Sequence, residues 1–205
     1  MPITPISPDR LVDAVVELVT ARPGRVRIAL DGPPPTEPDA LAGQVADRLR
    51  TAGRAVVVVL ATDYLRPASV RLEYGRTDPD ELLDGWLDSA ALRREVLDPA
   101  APNGSGRVLP RLWNATTDRA HRADYVTLPP DGVVVLAGAL LLGRGLPLDA
   151  SVHLRMGPAA LRRRLPETEH WTLPAYARYE AERDPASAAD VLVMADHPTR
   201  PAIRT

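Results

Sequence analysis

The sequence of 205 residues contains no cysteine, no lysine and no phenylalanine. Without cysteine the chain can form no disulfide, no thiolate metal site and no cysteine nucleophile. With 25 basic and 27 acidic residues the net charge is only -2, so no overall field favours nucleic acid as a partner. The four histidines show none of the spacings typical of metal ligands, so we expect no metal site: His121, His153, His170 and His197.

Long hydrophobic runs are also missing. The longest, Val133 to Leu142, contains Gly138 and is far shorter than the roughly 20 residues that cross a bilayer. The N-terminal segment MPITPISPDR lacks the basic and apolar regions of a signal peptide. We therefore expect a cytoplasmic protein with no membrane partner, and the length fits a single α/β domain over 1–205.

The stretch Val26 to Leu49 has the pattern of a buried strand, a tight turn and a helix. The apolar run ends at Asp31-Gly32, and helical spacing begins near Leu41. Phosphate-binding loops lie in such glycine-opened turns, because backbone N–H groups and the helix N-terminus both point at the ligand there. Gly32 is therefore a candidate cofactor-binding residue.

The turn nevertheless departs from a Walker A loop, G-x-x-x-x-G-K-[ST]. Counted from Gly32, Glu37 occupies the motif position of the second glycine, Pro38 that of the lysine and Asp39 that of the serine or threonine. The two carboxylates would repel a triphosphate. The other interpretation is a rigid strand-to-helix turn in which Asp39 caps the helix. Four prolines in this segment have no backbone N–H to offer a phosphate: Pro33, Pro34, Pro35 and Pro38.

Strands and helices alternate along the rest of the chain, and five such units predict a parallel sheet with helices on both faces. The predicted helices begin near Ser7, Asp39, Asp80, Pro158 and Pro174, and that from Asp80 runs to Leu97. The predicted strands are 26–30, 55–60, 133–136, 151–156 and 189–195, the last ending at Asp196-His197-Pro198.

Two polar segments could carry a ligand site. The first, 61–88, follows the end of a buried strand, where ligands bind in open α/β sheets; the alternative is a solvated loop and an ordinary helix. The second is a predicted β-hairpin insertion over about 103–130, on which His121 is either a surface residue or a ligand contact. Candidates in the first segment are Asp63, Tyr64, Arg66, Arg71, Arg76, Asp84 and Asp88.

Three consecutive arginines, Arg162 to Arg164, lie on a predicted helix. Consecutive residues spread around a helix, so at most two of them could face a shared anion site. A solvated helix face is the other interpretation.

With these landmarks placed, nearly the whole chain resembles the uridine kinase and phosphoribulokinase group of P-loop kinases, in particular the uridine kinase-like proteins of actinobacteria. The most specific stretch is TDYLRPASVRLEYGRTDPDELLDGWLD over 62–88. Supporting stretches are RPGRVRIALDGP (22–33), LPRLWNATTDRAHR (109–122), VVVLAGALLLGRGLPLDASVHL (133–154) and ARYEAERDPASAADVLVMADHPTRP (177–201). The resemblance implies a P-loop kinase-like sheet with a small lid, here about 157–185.

The resemblance also implies roles for individual residues. Such kinases transfer a phosphoryl group from ATP or GTP to a nucleoside hydroxyl, and an acid after the second strand takes the hydroxyl proton. Asp63 or its neighbour Thr62 occupies that catalytic region. Arg162, Arg163 and Arg164 match the lid, and Arg162 and Arg163 are the candidate cofactor contacts. Ala137 stands where the relatives have an acid near magnesium. Residues at or beside acceptor-side positions are Tyr64, Arg66, Asp84, His121 and Arg122.

These observations favour a uridine kinase-like protein with a degenerate ATP and magnesium site that binds a small polar or nucleoside-like ligand without efficient phosphoryl transfer. On this hypothesis no cofactor is expected. The alternative is an active nucleoside kinase with an atypical phosphate loop, which would use ATP and Mg²⁺. A purely structural subunit is a third class, and homo-oligomerisation is compatible with the sequence.

Overall fold

The computed structural model describes residues 3–197 and 199–204. Its centre is a seven-stranded sheet in the order β1-β11-β10-β9-β2-β8-β3. The seven strands are β1 (Thr4–Pro5), β2 (Val26–Asp31), β3 (Val56–Leu60), β8 (Val133–Gly138), β9 (Ala150–Arg155), β10 (Val191–Met194) and β11 (Ala202–Arg204). Four short strands lie outside this sheet: β4 (Arg107–Val108), β5 (Trp113–Asn114), β6 (Arg119–Ala120) and β7 (Val126–Thr127).

Eight α-helices accompany the strands in the described part of the chain. They are α1 (Pro8–Thr20), α2 (Pro38–Thr51), α3 (Ala68–Arg71), α4 (Pro79–Asp84), α5 (Ser89–Leu92), α6 (Pro158–Arg164), α7 (Leu173–Arg178) and α8 (Pro185–Ala188). A single π-turn extends α5 over Arg93–Leu97 and another extends α7 over Tyr179–Arg183. Short 3₁₀ turns cover Pro34–Thr36, Ala61–Tyr64 and Glu167–Thr172.

The five central strands β10, β9, β2, β8 and β3 pair in parallel. Their side chains alternate between two apolar layers, which is why β2 and β8 are buried at every position. Ile28 and Val135 face α1 and α2, whereas Ala29 and Leu136 face the opposite layer. The predicted α/β sheet with helices on both faces is confirmed.

The carboxyl ends of β2, β8 and β9 meet where the strand order reverses. β2 pairs with β8 on one side and with β9 on the other, although β3 follows β2 in the chain. Loops after the two flanking strands leave in different directions at such a point, so a crevice opens at the end of β2. The loop that starts at Gly32 therefore borders this crevice.

Two details correct the sequence-based prediction. Strands β1 and β11 were not predicted; β11 runs antiparallel to both β1 and β10, so the sheet is mostly rather than wholly parallel. The helix predicted over 80–97 is broken after Asp84, because Leu87 pairs with Leu65 and Asp88 then caps a new helix. Pro198, in the turn predicted after the last strand, lies outside the described residues.

The insertion over 103–130 is a pair of nested antiparallel ladders. Arg107–Val108 pairs with Val126–Thr127, and Trp113–Asn114 pairs with Arg119–Ala120 inside it. The inner turn is held by the Asn114 side chain, which accepts hydrogen bonds from the amides of Thr116 and Thr117. Across residues 3–197 and 199–204, no helix is long and apolar enough to cross a membrane.

Candidate functional site

The loop between β2 and α2 turns tightly without exposing backbone donors. Gly32 N–H donates to the Gly138 carbonyl at 3.0 Å, and the amides of Thr36 and Glu37 close a 3₁₀ turn on Pro33 and Pro34. The four prolines of the segment have no N–H. The amides of Asp39 and Ala40, in the first turn of α2, are the donors left at this helix end.

Glu37 and Asp39 place two carboxylates at the start of α2. Glu37 is the N-terminal cap, with φ 56° and ψ 50°, and its side chain makes no capping hydrogen bond. Asp39 lies inside the first turn, so the alternative in which it caps the helix is wrong. Local desolvation and the nearby charge of Asp63 raise the pKa of Asp39. The carboxylates of Asp39 and Asp63 are therefore near enough for their charges to interact.

Gly32 is required by packing. A Cβ at this position would lie 2.8 Å from the Leu154 Cβ and 2.9 Å from the Leu154 carbonyl oxygen. Only glycine lets β2 end this close to β9. The observation gives Gly32 a structural role that does not depend on a phosphate.

Asp31, the last residue of β2, is the centre of a buried polar network. Its side chain is fully buried. One carboxylate oxygen accepts from the Leu141 amide at 2.8 Å, and the other lies 2.7 Å from His153 Nδ1 and 2.9 Å from the Tyr179 hydroxyl, which donates to it. The Tyr179 oxygen in turn accepts from the Leu142 amide. The network thus ties β2 to β9, α7 and the loop after β8.

His153 bridges two carboxylates. Its Nε2 lies 3.0 Å from Glu180 Oε1, and the second oxygen of Glu180 accepts from Arg155 Nε at 2.9 Å. Burial by itself would lower the pKa of His153, but hydrogen bonds and charge from Asp31 and Glu180 outweigh it and raise this pKa to about 9. At neutral pH the imidazolium therefore donates to both acids, and the four charged groups balance.

A cavity of about 480 Å³ borders this network, between the end of β9, the first residues of the β2–α2 loop and the helices α6 and α7. Its walls are mostly apolar, and His153, Arg155 and Glu180 form one side. Gly32 and Arg162, two of the predicted cofactor-binding residues, both line it. Arg163 and Arg164 do not line this cavity, because consecutive residues diverge around α6.

Asp63 lies on the other side of β2, just after β3. Its carboxylate is 19% exposed, 3.2 Å from His121 Nε2 and 3.7 Å from Arg111 Nε. His121, Arg122 and Arg111 line a shallow depression of about 400 Å³ at the base of the insertion. The structure therefore brings three predicted residues, Asp63, His121 and Arg122, to one polar surface. Thr62 is exposed beside them.

Three other predicted residues do not line this depression. Tyr64 is fully buried, and its hydroxyl donates to the Leu109 carbonyl, so the expected substrate contact is corrected to a core role. Asp84 forms ion pairs with Arg183 at 2.9 Å and Arg178 at 3.6 Å, joining α4 to α7. The Arg66 backbone is held by the Trp86 carbonyl.

Solved structures show what this architecture is similar to. A possible uridine kinase from Bacillus stearothermophilus superposes with a TM-score of 0.72 at 19% identity, over 90% of this chain and 97% of that one. A candidate fructose transport system kinase from Silicibacter sp. TM1040 gives 0.61 at 24% identity, over 89% and 92%. D-glycerate 3-kinase from Cryptococcus neoformans var. grubii gives 0.54 at 15% identity, over 85% and 80%. This chain has the P-loop kinase fold. No protein-family model and no curated protein matches its sequence.

In the P-loop kinase fold, triphosphate and magnesium need a lysine, a hydroxyl and an acid around the glycine-rich loop. Here the corresponding positions are Pro38, Asp39 and Ala137. Within residues 3–197 and 199–204, no three His, Asp or Glu side chains cluster so as to hold a metal ion. The side chains at the counted positions thus differ from the lysine, hydroxyl and acid that bind triphosphate and magnesium around a Walker A loop.

Sequence reasoning missed the network of Asp31, His153, Tyr179 and Glu180. A signal for it exists in β9, where His153 and Arg155 interrupt an apolar strand at alternate positions. A polar side chain inside a buried strand requires a partner. The partners themselves come from segments far away in the chain.

Proposed function

We propose that this protein binds a small polar, nucleoside-like molecule beside Asp63 and does not carry out efficient ATP-dependent phosphoryl transfer. The proposal rests on the shortage of free backbone donors in the β2–α2 loop. Four prolines of this loop have no N–H, and the amides of Gly32, Thr36 and Glu37 already donate to backbone carbonyls. A phosphate cradle needs several such amides pointing at one anion.

Electrostatics support the same conclusion. Glu37 and Asp39 bring negative charge to the place where a triphosphate would lie, and no lysine exists anywhere in the sequence to offset it. Two like charges about 4 Å apart repel by roughly 1 kcal/mol in water and by more where water is excluded. A helix N-terminus with only two amide donors is a weak counterweight.

The surface around Asp63 supports binding of a hydroxylated ligand. Its carboxylate is partly exposed and is oriented by His121, whose Nε2 lies at 3.2 Å. A carboxylate held this way can accept a hydrogen bond from a sugar hydroxyl without any phosphoryl donor. Arg122, at the same depression, adds a flexible donor for polar substituents.

Calorimetric titration tests the proposal directly. The protein is titrated with ATP and Mg²⁺ and, separately, with uridine, cytidine, adenosine and guanosine. We expect millimolar or weaker binding of ATP with Mg²⁺ and measurably tighter binding of at least one nucleoside. Micromolar binding of ATP with Mg²⁺, together with transfer of its γ-phosphoryl group to a nucleoside, would instead establish the active kinase with an atypical loop.

A further inference from the structure

The cavity between β9, α6 and α7 has the character of a small-molecule site. Its volume of about 480 Å³ falls within the range of about 300–1,000 Å³ usual for ligand pockets, which combine apolar walls with a few placed polar groups. Leu140, Met156, Leu161 and Leu173 contribute much of the apolar surface. Such apolar walls favour a ligand with an apolar body.

The charges on the network side of the cavity compensate one another. Asp31 and Glu180 are balanced by His153 and Arg155, each within 3.0 Å of a carboxylate oxygen. These groups are engaged and do not need a ligand to satisfy them. These four groups therefore do not require a bound ligand to carry a charge of either sign.

Arg162 is the cation that stays uncompensated. It lines the cavity and is exposed, and no carboxylate of residues 3–197 or 199–204 lies within ion-pair distance of its guanidinium. Tyr176 lines the same cavity. The guanidinium of Arg162 thus remains available to an anionic head group.

We propose that this cavity binds a small apolar monocarboxylate, with its hydrocarbon body against the leucine-rich walls and its carboxylate at Arg162. Guanidinium groups match carboxylates in shape and charge. A nucleoside fits these walls poorly, because the hydroxyls of a ribose would face apolar side chains without partners. The site is separate from the Asp63 surface, so the proposal stands or falls independently of the proposed function.

Octanoate and 1-octanol form a matched pair of probes that differ in the charge of the head group. In calorimetric titration of the full chain we expect saturable binding of octanoate below about 1 mM, a range attainable by small ligands of this size. We expect 1-octanol to bind about two- to fivefold more weakly, since a partly exposed ion pair contributes up to about fivefold.

Three variants locate the site. Arg162→Gln should weaken octanoate binding about two- to fivefold and leave 1-octanol binding unchanged, because only the anion uses the guanidinium. Arg163→Gln, on the same helix but away from the cavity, should change neither affinity. Ala177→Trp places a large ring at an exposed position of the cavity wall and should abolish binding of both probes while leaving the melting temperature close to that of the wild type.

Four results would overturn the proposal. If the wild type shows no saturable octanoate binding, or if Ala177→Trp binds octanoate as well as the wild type does, the cavity is not an apolar carboxylate site. If octanoate and 1-octanol bind equally well, or if Arg163→Gln weakens octanoate as much as Arg162→Gln does, Arg162 does not recognise the anion.

Discussion

The two flanks of β2 both carry charged groups, but on the β9 flank Asp31 and His153 are buried and paired with each other, whereas on the β3 flank Asp63 and its partners reach solvent. Asp31 is fully buried and holds His153, Tyr179 and a backbone amide. Asp63 is 19% exposed, with His121 and Arg111 nearby. The same residue type thus occurs in two environments at one edge of the sheet.

This difference in burial predicts different roles for the two aspartates, one in the stability of the fold and the other in ligand recognition. A buried carboxylate must find its partners within the protein, so its removal leaves other buried groups unpaired. A carboxylate at the surface loses little when a partner is removed, because water replaces it. We therefore assign Asp31 to the stability of the crevice and propose Asp63 for ligand binding.

The matched substitutions Asp31→Asn and Asp63→Asn test this comparison most strongly. Asp31→Asn should lower the free energy of unfolding by about 3–5 kcal/mol, because it removes one of the two carboxylates that balance the buried imidazolium. Asp63→Asn should lower it by less than about 1 kcal/mol. Urea denaturation measures both. Equal losses would show that the two flanks do not differ in this way.

The pH dependence of the free energy of unfolding should come from groups on the β9 flank and not from those on the β3 flank. The pKa of His153 is about 9 in the folded protein, against about 6.5 in an unfolded chain. A pKa raised by folding stabilises the protein fully below pH 6.5, and this contribution is lost as the pH rises through 9. The free energy of unfolding should therefore fall by about 3 kcal/mol over that interval.

Urea denaturation between pH 6 and pH 10 measures this slope. In His153→Gln the slope over the same interval should largely disappear, whatever the stability of the variant at pH 6. A variant that keeps the wild-type slope would place the responsible proton on another group. An NMR titration of the His153 ring provides a second, site-specific readout.

Binding of a nucleoside should depend on the β3 flank. Asp63→Asn should weaken the nucleoside of highest affinity by about 1.5–3 kcal/mol, the usual contribution of a hydrogen bond to a charged group. Asp47→Asn, at an exposed position of α2, is the control and should bind like the wild type. An unchanged dissociation constant in folded Asp63→Asn would remove Asp63 from the site.

The smallest effect is expected at the loop between the two flanks. The combined variant Glu37→Gly, Pro38→Lys and Asp39→Thr should tighten ATP binding by about 1 kcal/mol, because it removes two repulsive charges and adds a cation. The gain is limited, since Pro33, Pro34 and Pro35 still supply no N–H. Calorimetry with ATP and Mg²⁺ measures it. Affinity equal to the wild type would mean that a phosphate does not lie on this loop.

Local sequence patterns were sufficient for most of the regular structure. The apolar runs of β2, β3 and β8 and the periodic spacing of α1 and α2 predict these elements within a few residues. Pairing between segments far apart in the chain left no comparable pattern in the sequence. Strands β1 and β11 are too short to show a period, and the break in the helix predicted over 80–97 follows from the pairing of Leu65 with Leu87.

The sequence by itself determined the sheet architecture and the composition of the β2–α2 loop, because hydrophobic period, proline and glycine act over a few neighbouring residues. Only the tertiary structure decided which polar groups meet. Asp31 and His153 are 122 positions apart, and His153 and Glu180 are 27 apart. Parallel pairing of β2 with β9 and packing of α7 over their ends bring the three together, and no local pattern encodes that approach.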